Sequence, residues 1–195
     1  MLFIEPAAGP APFVHFIEHA RGPIDINVYY LNSRPILRAM AEAHRRGEPV
    51  HVMINGRPYR MSHRLVEKEI SRIRATDANV RVSPPRFDRA FRFDHAKYAV
   101  TAGRALIGTA NWDYSAFHRN REYMLTTSDR SLVRALHIVF RSDWHRRPAG
   151  ARPRKIAPRL VLSPGSESKL DTCINPVKFV GIVIMGWPAP LAAIG

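Results

Sequence analysis

The sequence predicts an α/β fold: a mixed β-sheet flanked by helices on both faces. Two observations predict it. From Ile24 to Val82 the apolar spacing switches between period 2 and period 3.6, reading strand, helix, strand, helix, strand. A hairpin pattern then follows between residues 95 and 108, which adds antiparallel strands to that unit. With 195 residues, 46% hydrophobic and 24% charged, the chain has the composition of a soluble globular protein and the length of one domain plus a small appendage.

Each element has a local reason. Residues 2–4 form a short apolar run ended by Pro6. Residues 12–20 carry Phe13, Phe16, Ile17 and Ala20 at helical spacing, with Pro12 suited to a first turn and Gly22-Pro23 as the break. Residues 24–30 alternate apolar with polar, as a strand does. Ser33 is an expected N-cap for a helix through Ile36, Leu37, Met40, Ala41 and His44, where Arg45 and Arg46 suit the C-terminal dipole and Gly47 stops it. Residues 50–54 form the next strand, Asn55-Gly56 a turn, 62–75 a helix through Leu65, Ile70 and Ile73, and 79–82 a short strand. After Pro84-Pro85 come a hairpin (95–101 and 104–108), a helical turn near 111–117, a strand from Glu122 to Thr127 and a long helix over 129–145.

Residues 148–158 lie in a proline-rich basic stretch that reads as a linker closing a unit at 1–147. Beyond it, Leu160-Val161-Leu162-Ser163-Pro164 echoes Leu2-Phe3-Ile4-Glu5-Pro6, so 159–195 reads as the start of a second, truncated repeat. The uncharged run Phe179–Gly195 is short for a membrane span and carries two prolines, which favours a strand or a poorly formed terminus over an anchor. The amino-terminal residues lack the basic stretch of a secretory signal, and one cysteine permits neither an intrachain disulfide nor a cysteine metal site. A cytoplasmic protein, peripheral at a membrane at most, is expected. The net charge of +14 attracts polyanions such as nucleic acid or anionic lipid, although a solvated arginine-rich surface accounts for the same number.

Reactive chemistry concentrates between Asp94 and Glu122. In a strand His95 and Lys97 share a face. An imidazole can attack a phosphodiester or move a proton, while an ammonium group neutralises its non-bridging oxygens. Asn111 offers amide donors to the same oxygens, and the backbone at Gly108-Thr109 suits close approach of an anion. Glu122 suits a ring nitrogen of a histidine, whose tautomer it would fix. Pairing with Arg119 and Arg121 on the surface is the plainer reading of Glu122. His15 and His19 stand four apart without a third ligand nearby, so no metal is expected. Trp112 and Phe117 read as packing residues, and His118 as solvent-exposed.

These residues resemble the signature of the phospholipase D superfamily: His-x-Lys, four residues, Asp, six residues, Gly-Ser-x-Asn, and a later Glu. His95, Lys97, Gly108, Thr109 (for Ser), Asn111 and Glu122 match it in order, with five residues rather than six between the aspartate position and Gly108. The signature aspartate falls at Ala102, on the face opposite His95, where its loss is expected to loosen a turn or a supporting hydrogen bond. The resemblance implies catalytic roles for His95, Lys97, Asn111 and Glu122, and phosphate contacts from Lys97, Gly108, Thr109 and Asn111. It implies a metal-independent phosphodiesterase, with no cofactor, that passes through a phosphohistidine. It also implies a need for a second His-Lys motif, from a homodimer partner or from a second repeat, and the echo at Leu160 favours the repeat. Hydrolysis or transfer of a phosphatidyl group is the first expectation. A homodimeric nuclease, favoured by the charge, and a silent polyanion-binding half-enzyme are the alternatives.

Overall fold

A computed structural model of the chain describes residues 1–89, 92–146, 160–162 and 182–184. Seven strands form one mixed sheet. They are β1 (Leu2–Glu5), β2 (Ile24–Val28), β3 (Val50–Ile54), β4 (Asn79–Val82), β7 (Lys97–Val100), β8 (Ala105–Gly108) and β9 (Glu122–Thr127), in the order β1-β9-β8-β7-β2-β3-β4. The β2, β3 and β4 strands are parallel, and the other pairings are antiparallel. The short strands β5 (Asp88–Arg89) and β6 (Arg92–Phe93) pair separately, as do β10 (Leu160–Leu162) and β11 (Ile182–Ile184). The proposed linker at 148–158 lies outside the described residues, as does most of the proposed second repeat.

Helices cover both faces, as the spacing predicts. On one face lie α1 (Ala11–Glu18), α2 (Arg34–Arg45), α3 (His63–Arg74) and α4 (Tyr114–His118), packed over Ile24, Ile26, Val52, Ala99 and Leu106. On the other, α5 (Arg130–Trp144) places Val133, Leu136 and Phe140 against Met53, Tyr98, Val100, Ala105 and Ile107. Alternation along β7 and β8 divides the two cores residue by residue. Each fully buried Ile or Phe in them contributes about 1.5–3 kcal/mol.

Caps set several helix ends. Asp129 accepts from Ser131 N at 2.8 Å and Leu132 N at 3.1 Å, and Asp113 accepts from Ala116 N at 2.8 Å. Ser33 occupies the N-cap position of α2, but its side chain makes no cap hydrogen bond; Pro35 in the first turn supplies the start. The strand read over 24–30 ends at Val28, which releases Tyr29 and Tyr30 into the loop above the parallel strands. Among the described residues no helix is long and apolar enough to cross a membrane.

Candidate active site

The site sits where β2 ends and β7 begins. Lys97 is the first residue of β7, and His95 lies just before it rather than inside a strand. Their side chains nevertheless converge, because both meet the Tyr29 ring. The imidazole packs edge-on to it at 4.7 Å, and Lys97 Nζ stands 5.0 Å from its centroid. Phe93 closes the other side of the imidazole at 5.8 Å. Lys97 Nζ donates to the His95 carbonyl at 2.8 Å.

Burial sets the ionisation of both groups. The partly buried His95 is pushed down to about 4 by desolvation and then by the Lys97 charge, so its imidazole is neutral at pH 7. Burial lowers Lys97 to about 7 against the opposing pull of Asp94 and Glu122, so it gains full charge when an anion arrives. A neutral imidazole beside a cation awaiting an anion is suited to attack on a phosphate ester.

Asp94 fixes the approach to His95. Its Oδ1 accepts from Ala96 N at 3.1 Å, and its Oδ2 accepts from Asn27 Nδ2 and Ser83 Oγ, each at 3.0 Å. The Asn55 amide donates to the Asp94 carbonyl at 3.1 Å. Asn27 in β2, and Asn55 and Ser83 just past the ends of β3 and β4, thereby hold one turn.

In the Gly108–Glu122 arm, β8 and β9 pack closely against each other. A Cβ on Gly108 would meet the Tyr123 carbonyl at 2.1 Å and Met124 Sδ at 2.2 Å, so the glycine serves the close approach of β8 to β9. Thr109 N–H donates to the Tyr123 carbonyl at 3.0 Å, and its hydroxyl accepts from Tyr123 N at 3.0 Å and donates to Glu122 Oε2 at 2.5 Å. The Thr109 donors are therefore engaged with β9 in this structure. Glu122 is likewise held by Thr109 and by Asn120 Nδ2 at 3.3 Å, with neither a histidine nor Arg119 or Arg121 among its described partners. Its charge reaches Lys97 through space.

Asn111 is carried by a loop clipped onto the one after β2. Trp112 N donates to the Tyr30 carbonyl, and Asn32 N and Ser33 N donate to the Trp112 carbonyl, all at 3.0 Å. Trp112 is fully buried edge-on to Phe13 at 5.4 Å, and Phe13 packs on Phe117 at 4.9 Å, so both are packing residues as expected. His118 is exposed, also as expected. Asn111 Oδ1 is buried with no hydrogen-bond partner among the described residues.

Sequence reasoning missed Tyr29, Phe93, Asp94 and Glu69. Glu69, on α3 and 2% exposed, accepts from Leu31 N at 2.7 Å and so braces the clip that carries Asn111. Burial pushes its carboxyl up to about 8. The available signal was positional: Tyr29 and Leu31 follow the carboxyl end of a parallel strand, where open α/β sheets place their ligands. At Ala102 the β7–β8 turn is closed by Thr101 N donating to the Arg104 carbonyl at 2.9 Å.

The sequence model of a family described as cardiolipin synthase, PLD-like domain, matches residues 13–144. The chain belongs to the phospholipase D superfamily. It is 29% identical over 126 residues to a mitochondrial cardiolipin hydrolase of Xenopus laevis, covering 64% of this chain and 56% of that one. It is 27% identical over 169 residues to the Homo sapiens protein of the same name, covering 86% and 60%. The chain thus spans less than two thirds of the length of these relatives. Its fold matches that of a phospholipase D family member, Nuc, from Salmonella typhimurium, with a TM-score of 0.64 at 18% identity, over 75% of this chain and 93% of the other.

Proposed function

We propose that the chain is a phospholipase D-type phosphodiesterase acting on a phosphatidyl group, with His95 as nucleophile. The observation that carries this reading is the meeting of a neutral His95 imidazole and the Lys97 ammonium on one Tyr29 ring. The relatives named as cardiolipin hydrolases support a lipid phosphodiester as substrate.

A ring nitrogen of His95 attacks phosphorus, the bond to the leaving oxygen breaks, and a histidine of a second His-Lys motif gives that oxygen its proton. Lys97 and the Asn111 amide stabilise the charge on the non-bridging oxygens. Water or an alcohol then loses its proton to the second histidine, attacks phosphorus and releases His95. No step calls for a metal. The second motif comes from another copy of the chain or from a second repeat. Glu122 acts as a positioning residue through its field on Lys97, and Gly108 keeps the Thr109–Glu122 contact in place.

A nuclease is the second reading. Two exposed tyrosines each carry an arginine over the ring, Tyr59 with Arg60 at 5.1 Å and Tyr114 with Arg119 at 5.5 Å. Tyr59 N donates to the Tyr29 hydroxyl, and α4 follows Asn111, so both stacks border the site. Such pairs suit stacked bases and phosphates.

The test is to measure the chain's mass in solution and assay cardiolipin vesicles and single-stranded nucleic acid with EDTA present, comparing wild type with His95→Ala. EDTA-resistant turnover of lipid, lost in His95→Ala, supports the first reading, and turnover of nucleic acid alone replaces it with the second. An inert chain in every oligomeric state defeats both and leaves a polyanion-binding half-enzyme.

A further inference from the structure

A cavity lies at the end of the sheet away from His95 and Lys97. Val28 pairs with Lys97 at the catalytic end, whereas Asp25 pairs with Val100, next to the β7–β8 turn. There, on the α5 face, a cavity of about 460 Å³ is lined by Asp25, His51, Ala102, His137, Arg141 and Trp144, among others. This volume falls in the range of small-molecule sites.

Its charge balance is positive. Asp25 is the one carboxylate in the lining, and its two oxygens accept from His51 Nδ1 at 2.9 Å and His137 Nδ1 at 3.2 Å. His137 Nε2 faces the Thr101 carbonyl at 3.0 Å. Both partners of the His137 ring are acceptors and the Asp25 hydrogen bond raises its pKa, which favours the imidazolium that offsets the Asp25 charge. Arg141 then adds a positive charge without an acidic partner in the lining. The nearby acid Asp143 is engaged by Arg86.

The same cavity is also lined by the apolar Pro23, Phe140 and Trp144. Phe140 and Trp144 stack at 5.4 Å with an interplanar angle of 21°, and Arg81 covers the Trp144 ring at 4.6 Å. Ala102 contributes only a methyl group to the lining, so the space beside these cations is left to a ligand.

We propose that this cavity binds a small organic anion, a carboxylate or phosphate on a flat apolar body. Its charge meets Arg141 and the histidines, and its body lies against Phe140 and Trp144. The site is separate from the catalytic end and does not depend on the activity proposed above.

Calorimetric titration of the full chain at about pH 6.5, near the ordinary imidazole pKa, tests it. The probes are benzoate and phenyl phosphate, with inorganic phosphate and benzyl alcohol as arms that lack the flat body or the charge. Both aromatic anions are expected to bind, and to bind more tightly than either control. Arg141→Ala and Ala102→Asp, both at exposed positions, are each expected to weaken binding by about tenfold or more, the worth of a charge-assisted contact. Lys97→Ala is expected to bind as wild type does. Thermal unfolding without ligand checks that each variant folds. Equal binding of inorganic phosphate, undiminished binding by folded Ala102→Asp, loss of binding in Lys97→Ala, or no binding of either aromatic anion would overturn the proposal.

Discussion

Lys97 Nζ donates to the backbone carbonyl of His95 at 2.8 Å, so the cation is tied to the main chain of the residue it serves. That contact keeps the ammonium group beside the imidazole before any phosphate arrives. It also explains why two residues outside one continuous strand still act on the same space.

The two ionisations fix a pH profile. On the proposed mechanism His95 is neutral when it attacks and titrates near 4, while Lys97 is charged and titrates near 7. The profile of kcat/KM, which reports the free enzyme, is expected to rise through about pH 4 and fall through about pH 7. Bound phosphate raises the Lys97 pKa, so the alkaline limb of kcat is expected at higher pH. Initial rates across pH on one diester measure both limbs.

Glu69 braces the Asn111 loop as a neutral acid. A folded pKa raised to about 8 makes the wild-type contribution complete below the ordinary carboxyl pKa and progressively lost as pH rises toward 8. Glu69→Gln keeps an oxygen for Leu31 N and cannot ionise, so it is expected to match or exceed wild-type Tm above pH 7. Glu69→Leu orphans that N–H and is expected to cost about 1–3 kcal/mol. Its turnover falls as the Asn111 loop loosens.

Asp25 and His137 form a pair with limits on both sides. Burial alone would raise Asp25, but the hydrogen bonds from His137 and His51 outweigh it and leave it lowered. The bond to Asp25 raises His137 against the effect of burial. The Asp25 contribution is present above its unfolded pKa and lost as pH falls through the lowered folded value; the His137 contribution is present below its unfolded pKa and lost as pH rises through the raised one. His137→Ala is expected to cost about 1–3 kcal/mol near pH 5.5 and progressively less at alkaline pH. Chemical denaturation at several pH values measures the difference.

Gly108→Ala places a methyl group against the Tyr123 carbonyl and Met124. Forcing β8 from β9 is expected to cost about 1–3 kcal/mol or more. It should also slow turnover beyond the stability loss, since Thr109 then releases Glu122. A denaturation curve and a rate on the folded fraction separate the two effects.

Much of the fold was legible because local spacing wrote it. The strands at 50–54, 79–82 and 122–127 coincide in sequence and structure, and α3 and α5 fall within a residue of their expected spans. Partners across long separations were not legible. Leu2–Glu5 reads as an apolar run, yet it becomes the sheet edge only by pairing with β9. Glu69 looks like one more charge on a polar helix until Leu31 N, 38 residues earlier, meets it. The His95–Lys97 pair was visible as a motif, whereas the Thr109–Glu122 contact was not, because nothing local shows that β9 claims the threonine donors.

The most direct measurement of the central claim is a rapid quench of the enzyme with a diester labelled in the retained phosphoryl portion, followed by peptide mapping under alkaline conditions. The expected result is a base-stable, acid-labile phosphoryl adduct on His95 that forms within one turnover, decays with product release and is absent from His95→Ala. Full turnover by His95→Ala, or an adduct on another residue with His95 unmodified, would contradict the assignment of His95 as nucleophile.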